Sequence, residues 1–228
     1  MVPGTRRRGG TDRSVIVAPV AVRVSSTRGR HAEAARNDES VLRAAREVLV
    51  ADPGAPMSEV ARRAGVGVAT LYRRYPSKDA LVAAVWLDSV RGLEADAGVA
   101  LDRARMYPWG AFVGFMTGSV ASGAGALGAA LAGSFTPTDE LVAAEQRLGA
   151  AVRELLECTQ AAGAVRPDIT SEDVGVLFEQ LHAVRADDAR REATLRRRYL
   201  ELFLQALRAP GAAPLPGPPP TAGELRRR

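Results

Sequence analysis

Residues 58–81, SEVARRAGVGVATLYRRYPSKDAL, hold two short helical patterns separated only by Gly65-Val66-Gly67. A chain that turns this sharply between two helices has to close them against a third. Val41, Leu42, Ala45, Val48 and Leu49 form the apolar stripe of such a helix just upstream. Asn37 is placed to cap it, with Asp38 and Glu39 in its first turn, and ADPGAP at 51–56 ends it because each proline denies the α-region to the residue before. Ser58 is expected to cap the second helix and Gly65 to close it in the left-handed conformation. The third runs Val68 to Arg74 and stops at Pro76, and Ser77 caps a fourth that continues toward residue 103.

Taking Leu71 as the buried reference of the third helix, Val68 and Tyr75 fall within about 60° of it, at 100° per residue. They are expected to anchor it from behind. Ala69, Tyr72 and Arg73 lie on the far side, flanked by Thr70 and Arg74. A small residue there lets the backbone approach base edges, and an arginine can pair with guanine or hold a phosphate. A tyrosine or threonine hydroxyl reaches phosphate oxygens. Lys78, at the start of the fourth helix, adds a second phosphate anchor. The DNA-contacting set is therefore Ala69, Thr70, Tyr72, Arg73, Arg74, Lys78 and Ser58.

The run EVARRAGVGVATLYRRYPSKDALVAAV, preceded by VLRAAREVL, resembles the N-terminal domain of TetR/AcrR-type transcriptional regulators. Ala61, Ala64-Gly65-Val66, Thr70-Leu71-Tyr72, Tyr75, Lys78 and Leu81 carry the match over about residues 37–90. Two positions depart from the family pattern. Gly67 stands where a hydroxyl cap is usual, and Tyr75 where Phe is usual, so the Tyr75 hydroxyl needs a partner. The resemblance implies a homodimer on a palindromic double-stranded DNA operator, with one recognition helix per half-site. It also implies a repressor whose divergent C-terminal domain binds a small-molecule effector and releases DNA.

Further helices are expected near 108–121, 124–133, 138–162, 170–185 and 188–208, with Thr170 and Asp173 forming a capping-box-like start. No strand pattern or internal repeat emerges, so the fold class is all-α. The organisation is a disordered Arg-rich arm over 1–35, a helix-turn-helix domain over 36–90, a ligand-binding and dimerisation domain over 91–208, and a Pro-rich disordered tail from 209 to 228.

Charge alone does not argue for DNA. Residues 1–30 hold seven Arg against one Asp, while 31–90 hold eight basic and eight acidic groups, so the formal +5 comes from the ends of the chain. The arm is one candidate for tracking the minor groove or phosphates, and a solvated tail is the other. Its faint likeness to an export signal is broken by Pro19 and Arg23. Cys158 is alone, which excludes an intrachain disulfide and a Cys-based metal site and fits a cytoplasmic protein. Two histidines and one cysteine build no catalytic or metal constellation, so neither enzyme nor cofactor is expected.

Residues 106–138 carry no charge, yet they are too rich in Gly, Ala, Ser and Thr for one membrane helix. Two buried helices suit them better. An apolar pocket is expected among Trp109, Phe112, Met116 and Phe178, with Phe115 off that stripe. The 188–208 helix is apolar on two sides, one bearing Leu195, Tyr199, Leu202 and Phe203, the other Leu200, Leu204 and Leu207. The dimer interface is assigned to Leu177, Leu181, Leu200, Leu204 and Leu207, and His182 to the same surface. The competing functional reading is an all-α small-molecule binding or interaction protein without specific DNA binding.

Overall fold

The computed structural model describes residues 27–131, 133–208, 213–221 and 224. The chain divides into two units, Met1–Arg36 and Asn37–Arg228. Among the described residues there are nine helices and no strand. They are α1 (Thr27–Ala51), α2 (Met57–Ala64), α3 (Val68–Arg74), α4 (Lys78–Ala104), α5 (Pro108–Ala121), α6 (Ala124–Leu131), α7 (Asp139–Ala161), α8 (Ser171–Ala183) and α9 (Ala189–Leu207).

Capping chemistry accounts for most of the boundaries. Ser77, Thr138 and Asp188 each accept a backbone N–H at the start of α4, α7 and α9. At α8, Asp173 reaches back to the Thr170 N–H at 2.8 Å. Two starts differ from expectation. Thr27, not Asn37, begins α1, so Asn37 lies inside the helix and residues 27–35 are not the unstructured arm expected there; residues 1–26 lie outside the described residues. Pro56 occupies the cap position of α2, and Ser58 sits in its first turn without capping, because proline already supplies the required φ and Met57 turns into the core.

The first core is made by α1 to α4, with Leu49, Val60, Leu71, Leu81 and Val85 buried together. Leu127 and Leu131 of α6 join it from the other half of the chain. The second core gathers Phe112, Met116, Leu155, Leu181 and Leu204. The α4 helix runs through both, giving Leu81, Val82 and Val85 to the first and Ala97, Ala100 and Ala104 to the second. Salt bridges cross from α1 to each neighbour: Asp38 to Arg74 of α3, Glu47 to Arg63 of α2 and Arg46 to Asp88 of α4. Exposed pairs of this kind add little energy each, so the apolar contacts hold the domain.

Ala213 and Leu215, expected as part of a free tail, are tethered. Buried Arg166 pairs with Asp168 and donates to the Ala206 and Ala213 carbonyls, while Asp168 accepts from the Leu215 N–H at 2.9 Å.

Gly65 closes α2 at φ 71°, and its N–H and the next return to α2 carbonyls. Gly67 caps α3 at φ −67° without a side chain to offer. The two glycines therefore respond oppositely to substitution. Gly65→Ala should cost about 1–2 kcal/mol and Gly65→Val more. Gly67→Ser should gain a few tenths of a kcal/mol, on the order expected for a restored cap. Urea unfolding of the two variants checks this.

Candidate nucleic-acid interface and ligand cavity

The α3 helix is seven residues long, and its orientation is set by what lies beneath it. Leu71 is 1% exposed, and Tyr75 is buried at its C-terminal end. Burial raises the Tyr75 phenol pKa, and Arg74 supplies the hydrogen-bond partner its hydroxyl needs. Ala69, Thr70, Tyr72 and Arg73 are all exposed on the opposite side, with Tyr72 at 47%. Arg73 has no carboxylate partner among the described residues; its Nη2 donates to Thr70 Oγ1 at 3.1 Å.

Three expected residues are placed differently. Val68 is 41% exposed and does not anchor the helix. A helical side chain leans toward the N-terminus, and at the first position of α3 only the short turn Gly65-Val66-Gly67 precedes Val68. Arg74 is turned to Asp38 and Tyr75, bracing α3 against α1. Lys78 donates to the Pro53 carbonyl at 2.7 Å and so ties the α1–α2 loop to the start of α4. Ser58 is exposed on α2.

The cavity of the C-terminal region is about 320 Å³ and opens among α4, α5, α6, α7 and α8. Of the four residues expected to line it, only Phe178 does. Phe112 and Met116 are core residues, and Trp109 packs against Phe112 with the Arg208 guanidinium 5.3 Å above its ring. The spacing in α5 located an apolar stripe, but that stripe faces the second core. The adjacent side, carrying Phe115 and Ser119 one turn apart, faces the cavity instead.

Trp86 of α4 and His182 of α8 complete the wall, and the sequence reading missed both roles. The signal that could have found them is Gly125 and Gly128, three apart in α6. A Cβ on Gly125 would meet the His182 ring at 2.0 Å, and one on Gly128 the Trp86 ring at 2.8 Å. Burial, with the cationic neighbours Arg196 and Arg185, lowers the His182 pKa and keeps the imidazole neutral.

The dimer assignment also needs correction. Leu181, Leu200, Leu204 and Leu207 are buried within the protomer, and Leu177 packs against the same core. His182 is likewise buried at the cavity. Two-sidedness was legible in α9, but periodicity does not say which side belongs to the protomer. The outward side carries Tyr199 at 41% and Leu202 at 51% exposure.

Among the described residues no cluster of His, Cys, Asp or Glu could hold a metal, and no helix is long and apolar enough to cross a membrane.

Comparison with known proteins places this geometry. Residues 41–85 match the family model of bacterial regulatory proteins of the tetR family, and 107–209 match that of the SbtR-like transcriptional regulator C-terminal domain. A TetR transcription regulatory protein from Mycobacterium vanbaalenii is 34% identical, with TM-score 0.59 over 79% of this chain and 99% of that one. A TetR transcriptional regulator from Streptomyces coelicolor is 28% identical, with TM-score 0.54 over 76% and 99%. The fold is also similar to that of LfrR from Mycobacterium smegmatis in complex with proflavine, at 21% identity and TM-score 0.56 over 73% and 95%. No curated protein matches.

If Leu71 holds the helix and the opposite strip is free, stability should report it. Leu71→Ala should cost about 2–5 kcal/mol, whereas Thr70→Ala and Tyr72→Phe should stay within about 0.5 kcal/mol. Equal losses at all three in chemical unfolding would place the strip in the core.

Proposed function

The chain belongs to the TetR family of transcriptional regulators, DNA-binding proteins without enzymatic activity, and we propose that it is a cytoplasmic repressor binding a palindromic operator as a homodimer. The observation that carries the reading is the exposed strip of α3, Ala69, Thr70, Tyr72 and Arg73, standing over a buried Leu71. A helix so presented fits the major groove. Ala69 lets the backbone come close. Arg73, with no carboxylate partner among the described residues, reads guanine or holds a phosphate, and Thr70 and Tyr72 reach the backbone. Arg74, Lys78 and Ser58 flank this strip; each of the first two is partly engaged within the protein and acts as a supplementary phosphate contact.

The second copy docks on the outward side of α9, through Leu195, Tyr199 and Leu202. Leu202 is 51% and Tyr199 41% exposed, and side chains of this kind gain by pairing with their symmetry copies. The cavity supplies the effector site. An occupant that favours one arrangement of the dimer over the other changes the distance between recognition helices, and only one distance matches successive major grooves.

Titrating operator DNA at several salt concentrations tests the reading. Specific, steeply salt-dependent binding is expected, and Arg73→Ala should cost about 1–3 kcal/mol of it. Weak binding confined to low salt would favour a small-molecule binding protein that has lost DNA recognition.

Leu202→Glu should convert the dimer to monomer in analytical ultracentrifugation while leaving helical content unchanged. A wild-type monomer at micromolar concentration contradicts the dimer.

A further inference from the structure

Two polar side chains sit in the cavity wall with an atom that hydrogen-bonds to nothing. Ser119 is 6% exposed and His182 4%, and neither Ser119 Oγ nor His182 Nε2 has a partner among the described residues. Both lie near the α5–α6 corner: Ser119 a turn before it, and His182 against Gly125 just after it. Buried polar atoms are usually paired, since leaving one unpaired costs about 1–3 kcal/mol, and the other two unpaired among the described residues, Arg46 Nε and Arg196 Nε, belong to guanidinium groups whose Nη2 is engaged. Two in one cavity mark where a ligand's polar atom belongs.

The chemistry of that atom follows from the imidazole. His182 hydrogen-bonds the backbone of Phe178. A neutral imidazole has one N–H, and engaging it there leaves Nε2 as a lone pair that needs a donor. The serine hydroxyl can give its proton to an oxygen in turn. A group that donates once and accepts once satisfies both.

The remaining walls specify the rest. Phe115 meets Phe178 edge-on at 6.5 Å between centroids, and Phe178 and the His182 ring lie within 29° of parallel. With Trp86 they present flat, apolar faces suited to a planar ring. The charged residues at the cavity are Arg153 and Glu172, of opposite sign; a backbone hydrogen bond first, then the Ser171 and Thr170 side chains and Arg153, hold the Glu172 carboxyl below its ordinary pKa. The wall is otherwise mainly apolar, and such a wall penalises an ion heavily. The volume lies near the low end of the roughly 300–1,000 Å³ typical of small-molecule sites.

We propose that the cavity takes an uncharged aromatic compound of one or two fused rings bearing a hydroxyl group, a phenol or naphthol, with its O–H donating to His182 Nε2 and its oxygen accepting from Ser119 Oγ. This rests on reading the C-terminal helices as the regulator's ligand domain and names the class of its ligand.

Calorimetric titration of the full chain with 1-naphthol, naphthalene and 1-naphthoate tests it. Naphthol should bind about tenfold or more tighter than naphthalene, because a site with unpaired polar atoms rejects the analogue lacking the hydroxyl. Naphthoate, an anion, should bind weakest. The naphthol preference should collapse toward unity in His182→Phe, which keeps an aromatic ring, and fall in Ser119→Ala, with naphthalene binding retained in both. Equal affinity for naphthol and naphthalene in the wild type, a preference that survives both variants, or no binding of any of the three overturns the proposal. Should His182→Phe not fold, the wild-type ratio and Ser119→Ala decide. The measurement uses no DNA, so the two readings fail separately. Naphthol selectivity without operator binding refutes the regulator and keeps the ligand class, and operator binding without naphthol selectivity does the reverse.

Discussion

A seven-residue helix does not hold its shape alone in water, because the cost of nucleating it exceeds what so few hydrogen bonds return. The burial of Leu71 in the pocket formed by α1, α2 and α4 is therefore the contact on which the proposed DNA surface depends. It fixes the rotation of α3 about its own axis, and that rotation alone puts Thr70, Tyr72 and Arg73 outside. Tyr75 sets the far end: its ring enters the core while its hydroxyl meets Arg74, which in turn reaches Asp38. The departure from a phenylalanine at this position has thus been absorbed into a polar chain joining α3 to α1.

The second dependence is the continuity of α4. One uninterrupted helix contributes its first turns to the core of the DNA-binding region and its last turns to the core of the C-terminal region. The alanines of its second half let α7 approach closely, while its first half carries the larger Leu81, Val82 and Val85. Since α6 also sends Leu127 and Leu131 into the first core, the region around the cavity and the region around α3 share side chains and cannot repack independently.

Much of this was legible in the amino-acid sequence because the signals are local. The α3 and α5 boundaries, the Ser77 cap, the left-handed Gly65 and the Asp173 reach to Thr170 follow from residues a few positions apart. Sidedness was less legible. In α5 and α9 the period identifies an apolar stripe but not what it faces, so Phe112, Met116, Leu200 and Leu204 were given functions when they are core. Val68 shows the same limit at a helix end, where angular position says inward and the lean of the side chain says outward. The cavity was least legible, since its wall draws Trp86, Phe115, Ser119, Phe178 and His182 from three helices far apart in the chain.

The glycine pair in α6 connects these parts. With hydrogen in place of a side chain, Gly125 and Gly128 bring the α6 backbone against the rings of His182 and Trp86. The His182 ring faces the cavity, and Trp86 both lines it and packs on the first core, with its indole N–H donated to Glu145 at 2.7 Å. A ligand shifts an equilibrium only through a difference in its contacts between two states. Here the difference has a physical seat: a ring pressed on Trp86 from the cavity finds helix backbone directly behind it at Gly128, with no flexible side chain to take up the displacement. Motion of the indole must therefore be passed to α6 or α4 as a rigid shift, and both of those helices contribute side chains to the core that holds Leu71.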